Sequence, residues 1–234
     1  MSMSIGPTAS SIDAMREQYR AITQNLANAS TVGYKAKRTA FSQVLRRSQA
    51  AVKASPFIDF TQGALVQTGR ALDMAINGDG FFVVEGPNGP SYTRNGTFRP
   101  NASGQLVNGS GWLLQGESGP ITIPTQAGDE DISIDPEGNI LAMGLPVGKV
   151  KVVTFENMQV LVPAGGGAFS APRNVEPEDA EESSVIQGHQ EASNVSTVEE
   201  LVGLITVTRM YEANSKTITA QDDKLKSLLS VAMA

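Results

Sequence analysis

Apolar residues at Ile12, Met15, Tyr19, Ile22 and Leu26 fall three and four apart, with no Gly or Pro among them. That spacing predicts a helix that begins near Ser10 or Ser11 and ends near Asn28, with one narrow seam about 27 Å long at roughly 1.5 Å per residue. A second periodic stretch closes the sequence. Leu204, Tyr211, Ile218 and Leu225 recur every seven residues, and the line beside them, Leu201, Thr208, Ser215, Asp222 and Leu229, is half polar. Two overlapping capping boxes, Ser196-x-x-Glu199 and Thr197-x-x-Glu200, mark where this helix starts. Both stripes are too narrow to hold a helix alone, so each helix needs a partner.

Between these flanks the pattern changes. Of 23 glycines, 19 lie between positions 61 and 170, and short apolar runs such as FFVVE and QLV are divided by Asn-Gly pairs at 77–78, 88–89, 95–96 and 108–109. Asn-Gly is the preferred centre of a type I′ turn, which predicts a series of hairpins. The expected fold is α+β: an antiparallel β domain of many short strands inserted between terminal helices that pair as a coiled-coil-like layer. Packing of each helix on the β domain is the simpler alternative. The expected boundaries are an N-terminal helix in 1–34, an extended linker over 35–60, the β domain at 61–175, an acidic linker at 176–192 and the C-terminal helix in 193–234.

Composition narrows the function. With 40% hydrophobic but only 6% aromatic residues, the core is expected to be aliphatic. The absence of cysteine excludes disulfides, thiolate metal sites and a cysteine nucleophile. The opening MSMSIGPTASSIDAMREQYR has no basic stretch leading into an apolar one, and no run of 18 apolar residues occurs, so neither a cleaved Sec-type leader nor membrane insertion is expected. Charge is uneven: residues 1–60 carry +5 and residues 61–234 carry −11. The basic quarter lacks the aromatic platforms of a nucleic-acid surface, and contact with acidic parts of a neighbouring subunit fits the asymmetry better.

Candidate chemistry is sparse. His189 is the single histidine, with no G-x-S-x-G elbow to join in a triad. GLPVGKV at 144–150 fails the Walker spacing and reads as a turn before a strand. Asp129, Glu130, Asp131, Asp135 and Glu137 could supply a glycosidase pair or a calcium site, but no pair stands out and the calcium-loop spacing is absent. No enzyme, cofactor or metal is expected. A periplasmic carbohydrate-binding or carbohydrate-acting β protein is the competing reading.

Three blocks carry a resemblance: NLANASTVGYKAKR at 25–38, TQGALVQTGRALDMAINGDGFFVV at 61–84 with YTRNGTF at 92–98, and SNVSTVEELVGLITVTRMYEANSKTI at 193–218. In this order they are similar to the signature blocks of flagellar basal-body rod and hook proteins. The short length and absence of a long central insertion look most similar to the family's proximal-rod members, with the distal-rod members next. The resemblance implies a structural subunit exported unfolded by the flagellar type III apparatus, assembling with itself and other rod proteins in the periplasmic rod to transmit torque for motility. It places the terminal helices, Ile12 to Asn28 and Thr197 to about Leu229, in an inner layer, and the seam residues Ile12, Met15, Tyr19, Ile22, Leu26, Leu201, Leu204, Tyr211, Ile218, Leu225 and Leu229 are the expected assembly interface. Asn25, Asn28, Thr31, Gly33 and Tyr34 would form the turn out of that layer. The acidic stretch at 176–182 has no counterpart in the family pattern.

Overall fold

A computed structural model describes residues 6–46 and 49–232, which divide into two compact units. The first holds the residues up to Ala29, Ala36–Asp59, and those from Val195 on. Its elements are helix α1 (Gly6–Ala27), strands β1 (Lys37–Arg46) and β2 (Gln49–Ile58), and helix α2 (Thr197–Ala232). The second holds Ser30–Lys35 and Phe60–Asn194 and contains the remaining strands.

In the first unit α1 and α2 pack together, and three contacts fix their direction. Asn25 bonds Glu200, Ile22 lies against Gly203, and Asn214 reaches the Met15 sulfur. As one number falls the other rises, so the pair is antiparallel. Met15, Ile22 and Val207 are buried there, with Leu204 packed against them. At Gly203 a Cβ would come within 3.2 Å of Ile22 Cδ1, so the missing side chain sets how closely the helices approach.

Helix α1 begins at least as early as Gly6, ahead of the expected Ser10 or Ser11, and ends at Ala27 beside the expected Asn28. The start of α2 agrees with the capping signature: Ser196 Oγ accepts from Glu199 N at 3.4 Å.

Residues 35–60, expected as an extended linker, are instead mostly a long hairpin, with Lys37 opposite Ile58 and Arg46 opposite Gln49. It packs along α1. Lys37 N donates to Asn25 Oδ1 at 2.8 Å, and Val52 N donates to Ser10 Oγ at 3.2 Å. The geometry is consistent: fifteen residues of helix from Asn25 to Ser10 cover about 22 Å, and six strand residues from Lys37 to Gln43, the partner of Val52, cover about 20 Å. Ala14 and Ala21 lie between the two contacts and are buried, so α1 carries a small-residue line beside its apolar seam. The hairpin is hidden in the sequence because KRTAFSQVLRRSQAAVKASPFI contains no Gly or Asn to signal one.

The strand pairings of the second unit are all antiparallel. Phe81–Gly86 is its central strand, pairing with Gly89–Thr93, Leu113–Gly116 and Val152–Thr154. A three-stranded sheet, Ile132–Ile134, Asn139–Ala142 and Leu145–Lys149, packs into the same core. That core contains Met74, Ile76, Phe82, Val84, Phe98, Leu106, Leu114 and Ile140. The expected aliphatic core is only part of the picture. Phe60, Phe81, Phe155, Phe169 and Tyr92 form a chain of mostly edge-to-face contacts, and Phe82 meets Phe98 in a separate T-shaped pair.

The segment expected as an acidic linker is structural. Glu178–Asp179 pairs with Val152–Thr154, Ser184–Gln187 with Met74–Asn77, and His189–Glu191 with Leu65–Gln67. The β unit therefore ends at Asn194, not at 175. The Asn-Gly turns also differ from expectation, because Met143 is the single non-glycine with positive φ among the described residues. Type I′ needs positive φ at both central positions, and none of the four asparagines has it. Only the pairs at 88–89 and 108–109 lie in loops joining paired strands.

Candidate assembly surfaces

The first unit presents two apolar surfaces. One is a groove along the helix pair, lined by Met15, Arg16, Tyr19, Arg20, Val207, Thr208 and Tyr211. Met15 and Val207 form its buried floor, while Tyr19 and Tyr211 on its rim are 48% and 42% exposed. The other is the first two turns of α2, where Val198, Leu201, Val202 and Ile205 all lie exposed. These positions share a helical face turned away from Leu204 and Val207.

The seam inside the pair uses a different second line from the expected one. Beside Leu204, Tyr211 and Ile218, the less exposed positions are Glu200, Val207, Asn214 and Gln221. Leu201, Thr208, Ser215 and Asp222 are on the exposed side of that line. A heptad with residues every three and four positions can be filled from either side of its first line. Leu201 looks apolar enough to belong, whereas Glu200 is disguised as a capping residue. On α1, Met15 and Ile22 are buried, Ile12 and Leu26 are half-buried and Tyr19 is exposed. The side chains of Leu225 and Leu229 lie outside the described residues.

Polar clamps hold each unit in shape. In the first, Asn25 is buried and acts like a strand edge: its amide oxygen accepts from Lys37 N, and its Nδ2 donates to Lys37 O at 2.8 Å and Glu200 Oε1 at 2.9 Å. Arg38 Nη1 donates to the same carboxylate oxygen at 3.2 Å. The C-terminal end of α1, the hairpin base and the first turn of α2 thus converge on Glu200. Asn28 Nδ2 caps the end of α1 by donating to Gln24 O at 2.8 Å.

In the second unit Glu191 is the hub. Its carboxylate accepts from Lys35 Nζ at 2.7 Å, Gly63 N at 2.9 Å and Arg94 Nη1 at 3.2 Å. Lys35, Arg94 and Glu191 are all buried. Burial lowers the pKa of the Arg94 guanidinium, and Glu191 beside it opposes that shift; the ring of Phe81 lies 5.4 Å from the guanidinium carbon. Gly33 N donates to Glu191 O at 2.7 Å. Gly33 has φ +67°, and a Cβ there would sit 2.5 Å from Asn95 N, so no other residue fits. Tyr34 O accepts from Asn194 N at 3.4 Å. Thr31, the remaining motif residue, is half-buried in this unit. Neither clamp is visible in the sequence: Glu191 sits in an exposed-looking QEAS context, and Lys35 reads as one of a basic cluster.

Of the carboxylates considered for catalysis, Asp131 and Asp135 serve turns. Asp131 Oδ2 accepts from Gly128 N, and Asp135 accepts from the backbone and side chain of Asn139. His189 Nδ1 sits 2.8 Å from Gln187 O. Among the described residues no group of His, Asp and Glu is arranged to hold a metal ion, and no helix is long and apolar enough to cross a membrane.

Comparison with known proteins decides the family. Residues 75–142 match the flagellar hook protein FlgE/F/G D1 domain, and residues 186–231 match the flagellar basal body rod FlgEFG protein C-terminal region. The flagellar basal-body rod protein FlgG of Agrobacterium fabrum is 35% identical, across 92% of this chain and 94% of that protein. The chain belongs to the flagellar basal-body rod protein family. FlgG of Bacillus subtilis is 32% identical over 90% of the chain and 91% of its own length, and FlgF of Caulobacter vibrioides is 30% identical over 86% of each. Both matched regions begin inside the β unit, and the second continues through most of α2. In this rod-family member the first region contains the core strands around Phe81, and the second contains Glu191 and Glu200, the hubs of the two clamps.

Proposed function

We propose that this chain is a structural, non-catalytic subunit of the flagellar rod, which joins copies of itself and other rod proteins through its terminal helices and carries torque across the periplasm. The observation that carries this reading is the unused apolar surface of the helical unit. The α1–α2 seam consumes Met15, Ile22, Leu204 and Val207. Val198, Leu201, Val202, Ile205 and the Tyr19–Tyr211 groove are left over. Apolar side chains this concentrated on one short helical face mark an interaction surface. In an open helical assembly the contact is heterologous, between two different faces of the subunit.

Delivery in unfolded form through the flagellar type III export apparatus completes the proposal. We take its place in the rod to be proximal and FlgF-like, from its short length and lack of a central insertion. A distal, FlgG-like place is the second reading, favoured by FlgG relatives that align over more of the chain. The test is the double variant Val202→Asp with Ile205→Asp, both exposed, so that the fold is retained. It should be secreted yet absent from purified basal bodies; its normal incorporation would refute this surface.

A further inference from the structure

The chain has four Asn-Gly dipeptides, and the fold treats them very differently. An asparagine followed by glycine is chemically labile because the glycine amide nitrogen, with no side chain to obstruct it, can attack the asparagine side-chain carbon. The attack needs a backbone free to rotate, a glycine nitrogen free to leave its hydrogen bond, and a side-chain carbonyl that is not held elsewhere.

Three of the pairs fail these conditions. Asn108 is buried, and its Oδ1 accepts from both Ser110 N and Trp112 N, at 2.9 and 3.0 Å. Asn95 Oδ1 accepts from Thr97 N at 3.0 Å, and Gly96 is buried so tightly that a Cβ would lie 1.7 Å from Met74 O. Asn77 is exposed, but it is paired opposite Ser184 at the end of its strand, and Gly78 N donates to Gln62 Oε1 at 3.3 Å. Asn88 is the exception. It is exposed at the tip of the hairpin joining Phe81–Gly86 to Gly89–Thr93 and lies outside the ladder; Gly89 is held only in the last pair of that hairpin, opposite Gly86, where a strand end opens most readily, and nothing lies within 4 Å of where a Gly89 side chain would begin.

We propose that Asn88-Gly89 is a self-modification site, at which the folded protein converts Asn88 selectively to aspartate and isoaspartate. The Gly89 nitrogen gives up its proton to a base and bonds to Asn88 Cγ, and the side-chain nitrogen leaves as ammonia, closing a succinimide. Water then opens the ring at either carbonyl. The net change is asparagine plus water to acid plus ammonia, with no oxidant or cofactor. Either product adds a negative charge at the hairpin tip. Isoaspartate also reroutes the backbone through the side-chain carbon and lengthens the turn between Gly86 and Gly89, whose pairing it disrupts. Its α-carboxylate is a substrate for isoaspartyl-type carboxyl methylation, which makes it directly detectable.

The test is incubation of the purified full chain at mildly alkaline pH, native and in urea, followed by peptide mass mapping and by labelling with an isoaspartyl methyltransferase. Native protein should accumulate acid at position 88 alone, with methyl label that is lost in Asn88→Gln. In urea all four pairs should react. Native acid spread evenly over the four pairs would overturn the proposal. So would an unreactive Asn88 in native protein that reacts in urea.

Discussion

Glu191 shows how a single residue can organise a chain from distant parts. Its carboxylate gathers Lys35, Gly63 and Arg94, which lie 156, 128 and 97 positions away in sequence. Removing the charge from a buried, hydrogen-bonded cluster leaves its cations uncompensated, at a cost of about 3–5 kcal/mol. Glu191→Gln should therefore lower the stability of the β unit by about that amount in urea unfolding followed by Trp112 fluorescence. A change under roughly 1 kcal/mol would show that the pair does no more than a surface ion pair does. Asp135 offers a finer check. The bonds from Asn139 hold its pKa below the ordinary carboxylate value. A depressed folded pKa means that its stabilisation of the 135–138 turn is complete above the ordinary carboxylate pKa, and is lost as pH falls through the lowered one. An NMR titration should find its midpoint below the usual range and returned toward it in Asn139→Ala.

Elements are legible where one periodicity rules and obscure where two functions share a stretch. The seams of α1 and α2 can be read because apolar residues at three-four spacing have no other common cause. The β1–β2 hairpin cannot, since its strands carry Lys, Arg and Gln and the segment 37–58 lacks glycine. The strands between 176 and 192 hide under an acidic composition that also suits a solvated linker. One consequence concerns fragments: a fragment ending at residue 175 loses three paired strands and the Glu191 hub, so it should fail to fold, whereas residues 30–194 should fold. Circular dichroism of the two fragments separates these outcomes. Another concerns α2, which is 14 residues longer than α1. In the antiparallel register roughly its last 15–20 Å extend past Gly6, the first described residue of α1. From Ser215 on, Ile218 and Gln221 are the only residues with described side chains that are not exposed, so this half has little burial to offset roughly 1–2 kcal/mol per residue of backbone entropy. In dilute monomer, amides beyond 215 should exchange rapidly while those around 200–211 are slower. Uniform protection to residue 232 would contradict this.

At the scale of the whole molecule, the chain invests its polar precision in two clamps and leaves its apolar surplus on the helices. The family blocks explain why part of this is foreseeable. Asn25, Gly33 and the Ser196–Glu200 region stand in the signature segments because they close the two units, although by spacing alone they read as turns and caps. The interaction faces are less legible. Leu201 is expected inside the pair and instead lies on its outer side, together with Val198, Val202 and Ile205. That displacement turns a statement about helix pairing into one about assembly.

Deleting the gene in its source bacterium, scoring swimming and imaging purified basal bodies tests whether the protein is a rod subunit working through its helices. The deletion strain should be non-motile, with a rod that stops within the periplasm and is restored by the wild-type gene and not by the Val202→Asp, Ile205→Asp variant. The level at which the rod stops would also place the subunit as proximal or distal. Motile cells with complete basal bodies would refute the rod role.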